Sequence, residues 1–163
     1  MFFRNSFSPF FILCTGIFLQ ACETVNLYEK NISVPKHAWS SQFKPEFRFI
    51  IEDTTVNYNL FVVLRHNEKY NYNNIWLRLT TRIPGDTAVR KVQYELPLAN
   101  SSGWLTTSSM DDLYEHRILL TPGSEGLPLR KAGEYLFTLE QVMREDPLEN
   151  ILNVGLRLEK KTP

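Results

Sequence analysis

Cys22 carries a thiol at the end of the run Leu19-Gln20-Ala21-Cys22. A thiol so placed, directly behind a short apolar segment, is a nucleophile for transfer of a diacylglyceryl group to sulfur. A cut between Ala21 and Cys22 then frees the cysteine amine. Each neighbour has a reason. Ala21 is small enough for a peptidase to close around the scissile bond, and Leu19 supplies a branched side chain at the recognition position two places earlier. Arg4 and the amino terminus hold the start of the chain on the cytoplasmic side, while Phe7 to Leu19, interrupted by Ser8, Pro9, Thr15 and Gly16, provides the apolar core of an export segment. This is the arrangement of a bacterial lipoprotein signal.

Two simpler explanations fit less well. A membrane span needs about 20 apolar residues to cross roughly 30 Å of hydrocarbon, and Phe10 to Leu19 at about 1.5 Å per residue reaches only half of that. A plain secretory signal asks for small residues at both recognition positions, and Leu19 is not small. Acylation would change the physical class of the protein. Each buried methylene contributes about 0.8 kcal/mol, so several chains on Cys22 hold a water-soluble domain on a membrane surface. The expected organisation is a signal over residues 1–21, a lipidated polar tether over 22–26, and one folded domain over 27–163, located in the cell envelope and facing the periplasm or on the outer membrane.

Other chemistry is hard to assemble. Cys14 leaves with the signal and Cys22 is acylated, so no disulfide is expected although the compartment would permit one. His37, His66 and His116 share no H-x-x-x-H or H-E-x-x-H spacing, so neither a metal site nor a cofactor is expected. Gly123-Ser124-Glu125-Gly126 lacks the spacing of a nucleophile elbow, and there is no glycine-rich phosphate loop. Asp111-Asp112 and Glu145-Asp146 are adjacent pairs, whereas acid/base work needs carboxylates facing each other across a cleft. No catalytic residue is assigned, and the chain is expected not to be an enzyme. The sequence has 18 basic and 18 acidic residues, and loss of Arg4 leaves the mature chain at about −1. No basic field exists to draw nucleic acid.

The aromatics are the remaining candidates. Tyr70, Tyr72 and Trp76 surround the Asn-rich stretch Asn71-Tyr72-Asn73-Asn74, and Trp76 falls on the polar parity of its strand, opposite Ile75 and Leu77. Such rings could stack on a glycan, anchor a protein partner, or simply pack. Trp39 and Trp104 read as core or turn packing.

The elements that would position these residues are strands. Phe47, Phe49 and Ile51 alternate with polar residues, as do Ile75, Leu77 and Leu79, then Val92, Tyr94 and Leu96, then Tyr135, Phe137 and Leu139, then Leu152, Val154, Leu156 and Leu158. Tyr58 to Leu64 is apolar at nearly every position and predicts a central strand covered on both sides. Pro84-Gly85-Asp86, Asn100 to Gly103, Pro122 to Gly126 and Lys131-Ala132-Gly133 read as turns. The expectation is an all-β fold, an antiparallel sandwich of about eight strands, immunoglobulin-like or jelly-roll-like, with a closed barrel as the alternative. Helix is limited to a turn near Met110 to Tyr114 and a helix-forming stretch from Glu140 to Asn150 that Pro147 would stop.

The run from Leu139 to Arg157, with Met143-Arg144 and Pro147-Leu148 at its centre, resembles the C-terminal signature of the gliding-motility lipoprotein GldH family of Bacteroidetes. The layout ahead of it is similar too: Trp39, Phe47-x-Phe49-x-Ile51-x-Asp53, Leu64-Arg65-His66-Asn67, Gly103-Trp104 and Gly133-Glu134-Tyr135-Leu136-Phe137. Glu149-Asn150 stands where the family would have a glycine. The resemblance implies a lipid-anchored, non-catalytic envelope protein needed for movement over surfaces, with the membrane and other gliding or secretion proteins as partners. A glycan-binding surface lipoprotein is the other reading. Asp53-Thr54-Thr55 and Asp86-Thr87-Ala88 also resemble the short O-glycosylation motif used in that phylum, as exported loops would.

Overall fold

Alternation fixes which side of each strand meets water, and hydrogen bonding then decides which strands become neighbours. A computed structural model of the chain describes residues 27–121 and 125–161. In chain order the strands are β1 (Leu27–Ser33), β2 (Ala38–Trp39), β3 (Glu46–Ile51), β4 (Asn57–Asn67), β5 (Asn74–Arg82), β6 (Val89–Pro97), β7 (Ala99–Asn100), β8 (Gly103–Trp104), β9 (Ser108–Met110), β10 (Leu113–Leu119), β11 (Leu127–Pro128), β12 (Gly133–Gln141), β13 (Leu148–Glu149) and β14 (Ile151–Lys160). Six of them form one sheet in the order β1-β14-β4-β10-β9, with β11 also on β4. A second sheet runs β3-β12-β5-β6, and β2 with β13 and β7 with β8 make two short ribbons.

Every pairing among the described residues is antiparallel. The expected sandwich is therefore the fold, with the core between the two sheets. Phe47, Phe49 and Ile51 from β3, Ile75, Leu77 and Leu79 from β5, and Tyr135, Phe137 and Leu139 from β12 face Tyr58, Leu60, Val62 and Leu64 from β4 and Val154, Leu156 and Leu158 from β14. Phe49 meets Phe137 edge to face at 5.0 Å between ring centroids, a favoured arrangement for the ring quadrupoles.

Three local expectations change. Leu152 does not keep the parity of Val154: a register shift between Ile151 and Asn153 leaves it half-buried and puts Ile151 in the core instead. An inserted residue flips the side of everything before it. The stretch Glu140 to Asn150 forms no helix, because Glu140 and Gln141 complete β12 and Leu148 and Glu149 pair with β2. β4 is covered on its outer face less evenly than expected: Val63 there is buried, whereas Asn59 and Phe61 are half-buried. A 3-10 turn, Pro35–His37, joins β1 to β2, and Lys36 and His37 there adopt φ of 55° and 57°.

The run that resembles the family signature is occupied with holding this structure together. Gln141 is buried, its side-chain nitrogen donates to the carbonyls of Trp39 and Glu145, and its oxygen accepts from the Met143 N–H at 2.8 Å. Asp146 accepts from the Ser41 N–H at 2.9 Å, and Trp39 is fully buried with its indole N–H on the Phe43 carbonyl at 2.8 Å. One buried amide thus satisfies three backbone groups that would otherwise be stranded, which explains a polar residue in a core position.

Candidate functional site

Cys22, Leu19 and Ala21 lie outside the described residues. The strand nearest them, β1, begins at Leu27 and is paired along its whole length to β14, from Leu27 opposite Glu159 to Ser33 opposite Asn153. Tyr28 on β1 packs its ring 5.3 Å from that of Phe49 in the other sheet. Any pull on the amino-terminal side is therefore delivered directly to the core.

The three candidate aromatics separate. Tyr70 is 4% exposed, and its hydroxyl donates to the Asn74 carbonyl at 2.9 Å. Burial raises its pKa well above that of an ordinary phenol. Tyr72 is half-buried and meets Tyr70 at 65°, with centroids 5.7 Å apart. Trp76 is half-buried on the outer face of β5, and its backbone N–H points at the Met143 sulfur. Rings at such angles, one of them inside the protein, do not make a flat exposed platform for a sugar.

Instead Tyr70 belongs to a cluster that sequence spacing did not reveal. His66 at the end of β4 and His116 on β10 are both fully buried, with their Nε2 atoms 2.8 Å apart. The His66 Nδ1 faces the Asn67 carbonyl at 2.7 Å, and the His116 Nδ1 faces the Leu105 carbonyl at 2.8 Å. Around His66 stand Trp104 at 4.5 Å, Tyr70 at 5.0 Å and Tyr114 at 5.5 Å between centroids. A signal was present: His66 continues the parity of Tyr58 to Leu64, and His116 stands two places from Tyr114 and from Ile118. Their meeting required the pairing of β4 with β10, which places Tyr114 opposite His66.

The contacts count protons. Three ring contacts need three N–H groups, two neutral imidazoles supply two, and a fourth proton would set two N–H groups against each other. At 2.8 Å the two nitrogens also stand closer than the roughly 3.3 Å that tetrahedral zinc bonds of about 2.0–2.1 Å would set between them. Among the described residues no group of three or more His, Cys, Asp or Glu could hold a metal ion. Burial lowers the pKa of both rings, that of His66 to about 4.

The folded pair thus holds fewer protons than the two unfolded histidines below their usual pKa of about 6.5. The fourth proton is the one excluded, so stability falls as pH is lowered from about 6.5 toward about 4, by up to about 1.4 kcal/mol per pH unit. Urea unfolding at pH 7 and pH 5 checks this, with the His66→Phe/His116→Leu double variant expected to flatten the dependence. An equally flat profile in the unmodified protein would contradict it.

A family model for GldH lipoprotein matches residues 26–158, which is nearly the entire described domain. The chain belongs to the GldH lipoprotein family. Two members align along almost their full lengths: the gliding motility lipoprotein GldH of Flavobacterium johnsoniae is 30% identical over 92% of this chain and 94% of its own. The GldH homolog of Christiangramia forsetii is 27% identical over 96% and 98%. Among solved structures, a carbohydrate-binding module, CBM28, specific for non-crystalline cellulose aligns with a TM-score of 0.41 at 12% identity, covering 82% of this chain and 73% of that one. GldH proteins are gliding-motility lipoproteins by name, and a membrane-anchored place in the cell envelope goes with that family. The glycan reading is not favoured, since Tyr70 is spent on the core.

Proposed function

We propose that this protein is a non-catalytic, lipid-anchored component or accessory of the gliding machinery, held to a membrane through acylated Cys22 and acting through contacts with other envelope proteins. The observation that carries the reading is the match to the GldH lipoprotein family from residue 26 to residue 158. The acylation site itself would stand four residues ahead of that match, at the end of the lipoprotein signal.

Exposed apolar side chains on sheet edges support the contact half of the proposal. Met110 on β9 is 71% exposed and Ile50 on β3 is 58% exposed. Both strands lie at the edge of their sheets, where unpaired backbone groups invite another chain. Placing a photo-crosslinking residue at Met110 or Ile50 in intact cells is expected to trap discrete adducts with envelope proteins required for gliding. Recovery of monomer alone from both positions, in cells that still glide, would sink the contact model.

A further inference from the structure

The geometry points to a lipid-binding cavity at one end of the sandwich, shaped for a single acyl chain that carries an anionic head. The cavity has a volume of about 700 Å³, within the range of small-molecule sites. Its inner wall is apolar, made by Leu60, Leu79, Leu120, Leu129 and Phe137, all nearly inaccessible to water from outside. Val92 and Tyr94 of the edge strand β6 form a half-buried side wall.

Three cations, Arg90, Arg130 and Lys131, also line it, and among the described residues no carboxylate does. Arg130 is committed to the carbonyls of Thr54 and Val56 and the amide oxygen of Asn57. Arg90 and Lys131 have no carboxylate within ion-pair distance among the described residues. The Thr121 hydroxyl, also on the lining, is buried with no hydrogen-bond partner among the described residues. An apolar chamber lined by the exposed cations Arg90 and Lys131, with one hydroxyl unpaired among the described residues, is a poor fit to water and a good fit to an amphiphile.

The position is telling. Leu27 lies level with Glu159, Glu159 with Asn59, and the adjacent Tyr58 with Leu127 of the cavity wall. The cavity therefore sits at the end of the sandwich from which the chain runs back to Cys22, within roughly 17 Å of extended tether. That its mouth faces the bilayer rests on the anchoring proposal, whereas binding does not. The anchor's own chains are a weaker fit, because thioether and amide linkages bring no negative charge to meet Arg90 and Lys131.

Cells fed a photoreactive palmitate and irradiated would provide the test, with adducts on the purified full-length protein mapped by mass spectrometry. The expected product is a small lipid-mass adduct on cavity residues, reduced about tenfold by Arg90→Glu, which reverses charge on the lining, and by Val92→Trp, which fills the chamber. Arg90 is exposed, so its variant keeps the test valid should the Trp variant fail to accumulate. Absence of the adduct, a yield in the variants as high as in the unmodified protein, or cavity peptides joined only to the Cys22 peptide would overturn the proposal. Missing label at Cys22 itself, with the cavity adduct retained, would instead count against anchoring alone.

Discussion

Cys22→Ser is expected to reduce acyl labelling to background and to leave a precursor that still carries residues 1–21. Sulfur is the reason. A thiolate is accessible near neutral pH and strongly nucleophilic, whereas a serine hydroxyl needs an adjacent base to react at all. Without the first alkylation the peptidase has no substrate, so the cut before residue 22 does not occur. The location changes as well, because several acyl chains provide a nearly permanent hold on a membrane surface and an uncut apolar segment too short to span does not reproduce it. Labelling with an alkyne fatty acid, gel mobility and intact mass measure all three effects, and cells carrying only this variant are expected to lose gliding. Acyl label at the unmodified level in Cys22→Ser would place the anchor on another residue.

Gly155→Val is expected to peel β1 from the domain at a cost of about 3 kcal/mol or more, the upper range for forcing volume into a packed site. Gly155 lies opposite Asn31 in the β1–β14 ladder. A Cβ there would stand 1.9 Å from the Asn31 side-chain oxygen and 2.7 Å from the Lys30 carbonyl oxygen. Asn31 can swing aside, but the Lys30 oxygen is backbone and moves only with its strand. Release of β1 would lift the Tyr28 ring off Phe49 and free Glu29 from Arg157. The functional consequence follows from position: β1 is the link between the anchor side and the core, so its loss replaces a short tether with a long slack one. Hydrogen exchange is expected to show fast backbone amides across Leu27 to Ser33, with cleavage there by added protease. Gly155→Ala should show the same effect more weakly. Protected amides over β1 in the Val variant would show that the close approach is not required.

The strands were legible because water reads alternation. Phe47, Phe49 and Ile51, or Tyr135, Phe137 and Leu139, have only one arrangement that hides all three side chains, and their burial follows the sequence residue by residue. Leu152 shows the limit. A bulge costs one residue of register and leaves no mark in hydrophobic pattern, so its parity was misread. Glu140 to Asn150 shows another: helix propensity in that stretch is small beside the energy of Leu148 pairing with Trp39 and the Gln141 amide closing three backbone contacts.

Order along the chain alone determined the all-strand character and the family, because alternation and a characteristic run of residues are local properties, and it carries the expectation of a lipoprotein signal, which is read as a linear peptide. Tertiary structure decided everything that depends on strands meeting: the His66–His116 pair, the removal of Tyr70 from the surface, the cavity between the sheets, and the need for a glycine at 155. Residues 66 and 116 are fifty positions apart, and nothing local says that β4 and β10 will be neighbours. Which strands pair is settled by the burial of all the faces at once, a free energy that belongs to the whole sandwich and to no segment of it.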